Sequence, residues 1–194
     1  LILYGVMAKN LRETFTFIMS EGEFMRFRPL DEDKDSAISK EEWERLIKDQ
    51  DFSKADLNAD GSFTVDDVKI ATKKYLDAIE ANDYELLQGW SKAAAALSVP
   101  EEWFKDHFAH KTIWTFLSQL DIPIGCFHGE KDRMAPISAV RELEAKAKHA
   151  GLAKIEFQYF EGLDHSLNII QYFTKAEIPK GHQAIFEFVD RITP

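Results

Sequence analysis

The sequence predicts an α/β fold, in which a parallel sheet joined by helices carries a largely helical insertion. Three observations support this prediction. Short apolar runs alternate with amphipathic segments in the C-terminal third, which is the pattern of strands connected by helices. The chain opens on another apolar run, residues 1–5, which we interpret as a buried strand leading into a turn at Gly5. Two acidic repeats and several helical stretches occupy the middle of the chain.

The C-terminal elements follow from hydrophobic spacing and from turn residues. In chain order we predict a strand at 122–127, a loop at 128–136, a helix at 137–150, a strand at 155–160, a loop at 161–166 and a helix at 184–192. Val140, Leu143 and Ala147 fall on one face of the first helix, and Gly151 supplies its C-cap. Because parallel strands end at the same edge of a sheet, the side chains of the two loops should emerge side by side.

Asp132 and His165 lie in these two loops. The order strand, His-Gly-x-x-Asp, x-x-x-Pro, helix, strand, Gly-x-x-His resembles the last two catalytic loops of the α/β-hydrolase superfamily. The resemblance implies that Asp132 is the triad acid and His165 the triad base, because a carboxylate fixes the tautomer of the catalytic imidazole. It also implies a partial hydrolase core at residues 1–10 and 115–194, with a helical cap at residues 11–114.

Simpler roles remain open for both residues. In one alternative, Asp132 caps the helix that starts near Pro136. In another, His165 is a surface histidine beside Asp164, which is also a rival for the role of triad acid. We do not favour Asp164 as that acid, because the side chains of adjacent residues seldom point at each other.

The nucleophile of such a hydrolase lies in a Gly-x-Ser-x-Gly segment, and the chain contains none. Ser91 has an alanine where the second glycine belongs, Ser20 and Ser118 lack the first glycine, and Cys126 lies inside a predicted strand. We therefore expect a longer natural parent whose N-terminal half carries the nucleophile and acts on a small ester or amide substrate. This chain alone is expected to be inactive.

Two acidic repeats share one spacing of oxygen-bearing side chains. In the second, Asp56 to Asp67, these fall at positions 1, 3, 5, 9 and 12, with Gly61 at position 6. The first repeat runs from Asp31 to Glu42. This is the ligand spacing of a twelve-residue calcium loop, and the pair resembles the EF-hand superfamily over residues 29–80. We expect one or two Ca²⁺ ions with a structural role in the cap.

Each loop supplies a predicted set of ligands through its side chains and one backbone carbonyl. The first set is Asp31, Asp33, Asp35, the carbonyl of Ala37, Ser39 and Glu42, and the second is Asp56, Asn58, Asp60, the carbonyl of Ser62, Thr64 and Asp67. Ser36 takes position 6 of the first loop, where a positive φ favours glycine, so we expect a weaker first site. The apolar residues at position 8, Ile38 and Phe63, predict a short β-bridge between the loops.

The segments around the loops leave alternatives to a hydrolase cap. Pro29 disfavours a regular helix before the first loop, as in the dockerin-like variant of this superfamily. Predicted exit helices span 40–48, with Trp43, Leu46 and Ile47 on one face, and 65–79, with Val68, Ala71, Tyr75 and Ile79 on one face. If those faces are exposed, the pair is instead a calcium-dependent module that docks a protein partner. A calcium sensor is a third, less favoured alternative.

The composition argues against several other classes of function. The formal net charge of −10 leaves no basic patch, which argues against nucleic-acid binding. No apolar run reaches the ~18 residues of a membrane span, and the single Cys126 excludes an intrachain disulfide. His107 and His110 have a spacing that suits a metal, but no third ligand is evident. We predict a soluble protein, for which the calcium loops favour an extracellular or periplasmic location.

Overall fold

The computed structural model describes residues 1–95 and 99–193. The chain divides into two compact units. The first, here the sheet unit, comprises Leu1–Thr14 and Lys111–Pro194, and the second, here the loop unit, comprises Phe15–His110. The sequence predicts boundaries between residues 10 and 11 and between residues 114 and 115. The structure is mixed α/β with a parallel three-stranded sheet, which confirms the predicted class at that level.

The strands and α-helices are, in chain order, β1 (Ile2–Tyr4), α1 (Leu11–Phe17), β2 (Ile38–Ser39), α2 (Lys40–Leu46), β3 (Ser62–Phe63), α3 (Val65–Ala81), α4 (Tyr84–Ala95), α5 (Glu101–Ala109), α6 (Trp114–Leu117), β4 (Ile124–Gly129), α7 (Ile137–His149), β5 (Ile155–Phe160), α8 (Ile170–Lys175) and α9 (Lys180–Ile192). No helix among the described residues is both long and apolar enough to cross a bilayer.

The sheet unit is organised around β4, the central strand of the order β1-β4-β5. Both of its neighbours run parallel to it, and Cys126 pairs with Leu3 on one side and Phe157 on the other. Every residue of β4 is buried, which is the usual state of a central parallel strand covered on both faces.

Alternate residues of β4 belong to two different hydrophobic clusters, because successive side chains of a strand point to opposite faces. Ile124 and Cys126 pack in one cluster with Val140 and Leu143 of α7. Phe127 packs in the other, whose members include Ile185 and Phe188 of α9. The sheet therefore has apolar cover on both faces.

Several predicted boundaries need correction. The predicted strand at 122–127 begins at Ile124 and continues through Gly129, because Pro123 has no N–H to donate and the amide of Ile124 starts the pairing to the carbonyl of Lys154 (2.9 Å). His128 therefore belongs to the strand rather than to the loop. Helix α9 begins at Lys180 instead of residue 184, after Pro179 at its N-cap. Helix α8 was not predicted.

The loop unit contains its own hydrophobic core beneath the two acidic loops. Its buried members are Phe24, Ile38, Trp43, Phe52, Ala55, Phe63 and Val68. The predicted exit helices are present, but the first ends at Leu46 rather than at residue 48. Leu46, predicted to share the buried face of Trp43, is the last residue of α2 and is 56% exposed. Ala71 on α3 is also exposed.

No regular α-helix leads directly into either acidic loop. A 3₁₀ turn over Arg28–Leu30 precedes the first loop and contains Pro29 near its start. Another 3₁₀ turn over Phe52–Lys54 precedes the second. This agrees with the expectation from Pro29, because its ring and missing N–H oppose a continuous helix.

A second aromatic group in the loop unit surrounds Phe15. The rings of Trp90, Phe104 and Phe108 each make edge-to-face contacts with it, at centroid distances of 5.6, 5.6 and 6.1 Å. Edge-to-face contacts of this kind add to the stabilisation from burial. These residues thus have a packing role inside the unit.

The β-bridge residue Ile38 is fully buried in the core of the loop unit, so its truncation tests how strongly that core depends on the bridge. We expect Ile38→Ala to lower the free energy of unfolding by roughly 2–5 kcal/mol, through lost burial and a residual cavity. Urea denaturation followed by tryptophan fluorescence measures the change. Ile70→Ala on α3 is the control, because that side chain is 48% exposed and its truncation should cost far less. Equal effects of the two substitutions would contradict the assignment of Ile38 to the core.

Candidate functional site

The two acidic loops have the same backbone conformation. Left-handed residues occur at loop position 4 (Lys34, φ 63°; Ala59, φ 59°) and at position 6 (Ser36, φ 72°; Gly61, φ 92°). Ser36 therefore adopts the positive φ expected at position 6, at a steric cost that Gly61 avoids. The left-handed residues at matching positions turn the backbone of each loop in the same way around the centre of that loop.

The loops pair through a short antiparallel bridge. Ile38 lies opposite Phe63, and Ser39 lies opposite Ser62. The position 8 residues therefore meet as predicted, and both are buried in the core of the loop unit. The bridge holds the two loops side by side.

Equivalent side chains bond equivalent amides in both loops. The position 1 carboxylate accepts from the position 6 amide (Asp31 from Ser36, 3.1 Å; Asp56 from Gly61, 3.0 Å). At positions 3 and 5, each side-chain oxygen accepts from the amide two residues on: Asp33 from Asp35, Asn58 from Asp60, Asp35 from Ala37 and Asp60 from Ser62. These bonds turn the side-chain oxygens towards the inside of each loop.

The position 12 carboxylate closes each loop. Glu42 accepts from the amide of Glu32 at position 2 and from the amide of Ser39 at position 9, both at 2.8 Å. Asp67 accepts from the matching amides of Leu57 and Thr64, also both at 2.8 Å. Ser39 and Thr64 in turn cap α2 and α3, so each loop runs directly into a capped helix.

The hydrogen bonds to Glu42 keep it ionised. Donation from the backbone of Ser39 and then of Glu32, with a further bond from the Ser39 side chain, lowers the pKa of Glu42 to about 2. The carboxylate is therefore negatively charged at any physiological pH. A fixed negative charge at position 12 suits a carboxylate that binds a cation.

The first loop also contains a buried oxygen without a partner. Asp31 is only 8% exposed, and its Oδ1 atom accepts no hydrogen bond from the part of the chain that the structure describes. Carboxylate oxygens of Asp31, Asp33 and Asp35 lie within 4.8 Å of one another. Like charges this close repel each other, and an unpartnered buried carboxylate oxygen is unfavourable, so a cation between them would relieve both costs. The residues present thus fit a hard cation that is bound by oxygen.

A second constellation lies at the carboxyl edge of the sheet in the sheet unit. Asp132 follows β4 and His165 follows β5, the neighbouring parallel strand. Oδ2 of Asp132 and Nδ1 of His165 are 2.9 Å apart, a hydrogen bond in which the ring nitrogen donates. The Asp132 side chain is completely buried, whereas that of His165 is 38% exposed. The structure therefore brings together the two residues that the sequence pattern singled out.

The structure does not use Asp132 as a helix cap, because Pro136 is the N-cap of α7 and no side chain caps that helix. Oδ1 of Asp132 accepts from the amides of Met134 (2.7 Å) and Ala135 (3.0 Å), so the same carboxylate fixes its own loop as well as His165. Asp164 accepts from the amides of Ser166 (2.9 Å) and Asn168 (2.8 Å). It stabilises its own turn and makes no hydrogen bond to His165 among the described residues.

Gly5, at the end of β1, completes this edge. Its φ of 57° is left-handed, and a Cβ atom there would lie 2.6 Å from Cε1 of His165. Glycine is therefore required for two reasons, the backbone conformation and the close approach of the imidazole. Three adjacent parallel strands thus contribute to the placement of His165.

Electrostatics within the pair favour a charged imidazole. The hydrogen bond to Asp132 is the largest influence and raises the pKa of His165 above its ordinary 6.5, partly opposed by burial. Cys126 behaves in the opposite sense, because burial raises the pKa of its thiol to about 12 and leaves it unsuited as a nucleophile. Ser91 lies within α4, where its hydroxyl donates to the carbonyl of Gln88 (2.8 Å).

Sequence reasoning missed two residues near candidate sites. His128 at the end of β4 is fully buried, with its Nε2 atom 3.8 Å from Oδ2 of Asp132. Asp106 supplies a third group beside His107 and His110, and Nε2 of His110 lies 3.2 Å from its carboxylate. However, Nδ1 of His107 is engaged by the carbonyl of Trp103 at 2.8 Å, and the three groups are largely exposed.

Comparisons with models of protein families, with curated proteins and with solved structures found no match for this chain. Function is therefore inferred from the geometry of the acidic loops and of the Asp132–His165 pair alone.

The pKa of His165 tests the pair directly. We expect Asp132→Asn to return this pKa towards 6.5, because the substitution removes the carboxylate that stabilises the imidazolium. NMR titration of the imidazole resonances measures the shift. Asp164→Asn is the control and should have a smaller effect, because Asp164 is the weakest of the influences that raise this pKa.

The sign of the linked stability follows from the raised pKa. The pair stabilises the folded chain fully below pH 6.5 and loses that contribution as pH rises through the folded-state pKa of His165. A pKa in the Asp132→Asn variant equal to that of the unmodified chain would contradict the pairing.

Proposed function

We propose that this chain binds Ca²⁺ through the two paired acidic loops, with the metal in a structural role. The observation that carries the proposal is the shared loop geometry: equivalent positive-φ residues, equivalent hydrogen bonds and a bridge between the position 8 residues. Solvated acidic stretches have no reason to repeat all three features. Ca²⁺ takes about six to eight oxygen ligands in flexible geometry, which matches the donors available in each loop.

The ligands proposed for the first loop are Asp31, Asp33, Asp35, Ser39 and Glu42, with the carbonyl of Ala37. The equivalents in the second loop are Asp56, Asn58, Asp60, Thr64 and Asp67, with the carbonyl of Ser62. A bound cation supplies a central positive charge to each set. The chain's own contribution is to hold the oxygens close together and, through the low pKa of Glu42, to keep the carboxylate that closes the first loop ionised.

We further propose that the sheet unit is the C-terminal portion of a serine hydrolase. The supporting observation is the 2.9 Å contact between Asp132 and His165 at the carboxyl edge of two adjacent parallel strands. In this role Asp132 orients His165 and stabilises its imidazolium form, while the exposed part of the ring accepts a proton from a nucleophile. The nucleophile belongs to a segment of the parent protein N-terminal to Leu1, and an ester or amide is the proposed substrate.

A calcium-dependent interaction module is the second candidate function. It is favoured by two exposed apolar side chains on the exit helices, Leu46 (56% exposed) and Ile70 (48% exposed). It is disfavoured by the burial of Trp43 and Val68, whose faces on the same helices were the proposed contact surface. A protein partner captured with Ca²⁺ and released by a chelator would support this function over the structural role.

Calcium titration tests the first proposal. We expect isothermal titration calorimetry to show one or two saturable sites, and a rise in the unfolding temperature with added Ca²⁺. Ligand at 100 times its Kd stabilises a folded protein by about 2.7 kcal/mol. Glu42→Gln should remove one site, because it replaces the closing carboxylate of the first loop with a neutral amide.

Glu44→Gln is the matched control on the same helix, since Glu44 is exposed and faces Lys40 at 3.7 Å. It should leave both sites unchanged. A chain that takes up no calcium, and whose unfolding temperature is the same in a chelator, would rule out the structural role of the metal.

The hydrolase proposal has a separate test in the coding sequence upstream of Leu1. We expect a Gly-x-Ser-x-Gly segment there, and a longer product that reacts with a fluorophosphonate probe. His165→Ala should reduce labelling of the longer product strongly, because the serine loses its general base. The 194-residue chain alone should not be labelled. An upstream sequence without such a segment would remove the basis for this proposal and leave calcium binding unaffected.

A further inference from the structure

The buried residue His128 has no role in the functions proposed above. It is the penultimate residue of β4, its side chain is 0% exposed, and neither of its ring nitrogens meets the geometry of a hydrogen bond with any described residue. Burying an unpaired polar group is unfavourable, and a leucine or phenylalanine would fill the same space without that cost. The position therefore calls for a reason to carry an imidazole.

The neighbourhood of His128 supplies one. Its Nε2 atom lies 3.8 Å from Oδ2 of Asp132, the oxygen that also accepts from His165 at 2.9 Å. The other oxygen, Oδ1, already accepts from two backbone amides. A carboxylate oxygen has room for a second donor, and a movement of less than about 1 Å would bring Nε2 within hydrogen-bond distance.

On the basis of the proposed Asp132–His165 pair, we propose that His128 is a positioning residue whose Nε2–H points at Oδ2 of Asp132 and competes with His165 for that oxygen. The competition limits how tightly the carboxylate holds a protonated His165. The Asp132 carboxylate stays fixed in place, because it retains a donor even when the His165 ring moves.

This arrangement suits a histidine that must act as a general base. A base has to be unprotonated at its working pH, yet a buried carboxylate partner drives the imidazole towards the protonated form. A neutral donor on the same oxygen offsets part of that drive. His128 is a suitable neutral donor, because burial lowers its own pKa below 6.5 despite the opposing charge of Asp132.

Other groups near His128 do not substitute for this donor. Among the described residues Asp132 and His165 are the charged groups that act on His128, and the backbone of Ala135 also interacts with its ring. Tyr159 pairs with His128 across the β4–β5 register, but its hydroxyl donates to Glu144 at 2.8 Å. The hydroxyl of Tyr159 is thus already committed elsewhere.

The experiment is an NMR titration of His165 in the full chain and in variants at position 128. We expect His128→Phe to raise the pKa of His165 by about half a unit, the size expected for loss of one neutral hydrogen bond. His128→Gln should restore the original value, because its amide N–H can replace the Nε2 donor. His149→Phe, at the exposed end of α7, is the control and should change nothing.

An unchanged His165 pKa in His128→Phe would overturn the proposal, because a packing role alone predicts that result. The tautomer of His128 in the unmodified chain, read from its ring ¹⁵N shifts, gives a test that no variant has to fold for. A proton on Nε2 supports the proposal and a proton on Nδ1 contradicts it. If Asp132→Asn also leaves His165 unaffected, the Asp132–His165 pair itself is wrong, and the two failures are thereby distinguished.

Discussion

The carboxylate at position 12 is the contact on which each acidic loop depends. Glu42 reaches back to the amide of Glu32, and Asp67 reaches back to that of Leu57, so the last residue of each loop is tied to its second. The same carboxylates receive the position 9 amides that begin the exit helices. The same carboxylate therefore closes the loop and supports the cap of the exit helix. This arrangement occurs once in each loop, and the two loops are joined at Ile38 and Phe63.

In the sheet unit a histidine is held in a related way. The side chain of His165 is positioned by groups that follow several strands, and the parallel register of those strands fixes where the groups lie. Asp132 is immobilised by two amides of its own loop and then fixes His165, while Gly5, directly after the neighbouring strand β1, leaves space for the imidazole. In both units a buried carboxylate that accepts several hydrogen bonds organises the residues around it.

The sequence was most informative where the chemistry is local. Loop positions 1 to 12 fix the acidic loops, and the bridge at Ile38 and Phe63 followed from the apolar residue at position 8 in each. The contact between Asp132 and His165 followed from strand order, since parallel strands end at one edge. What failed depends on non-local packing. The exposure of Leu46 and the burial of His128 both depend on which parts of the chain, distant in sequence, cover those side chains. Neither feature can be read from a short stretch of sequence.

We propose that the paired acidic loops bind one or two calcium ions, and an anomalous difference map from crystals grown in millimolar CaCl₂ tests this most directly. The geometry predicts one or two peaks, no more than one in each loop, each surrounded by about six to eight oxygens at roughly 2.3–2.6 Å. The nearest of these oxygens should include those of Asp31 and Glu42 in one loop and Asp56 and Asp67 in the other. Water or empty density at both loop centres would contradict the claim.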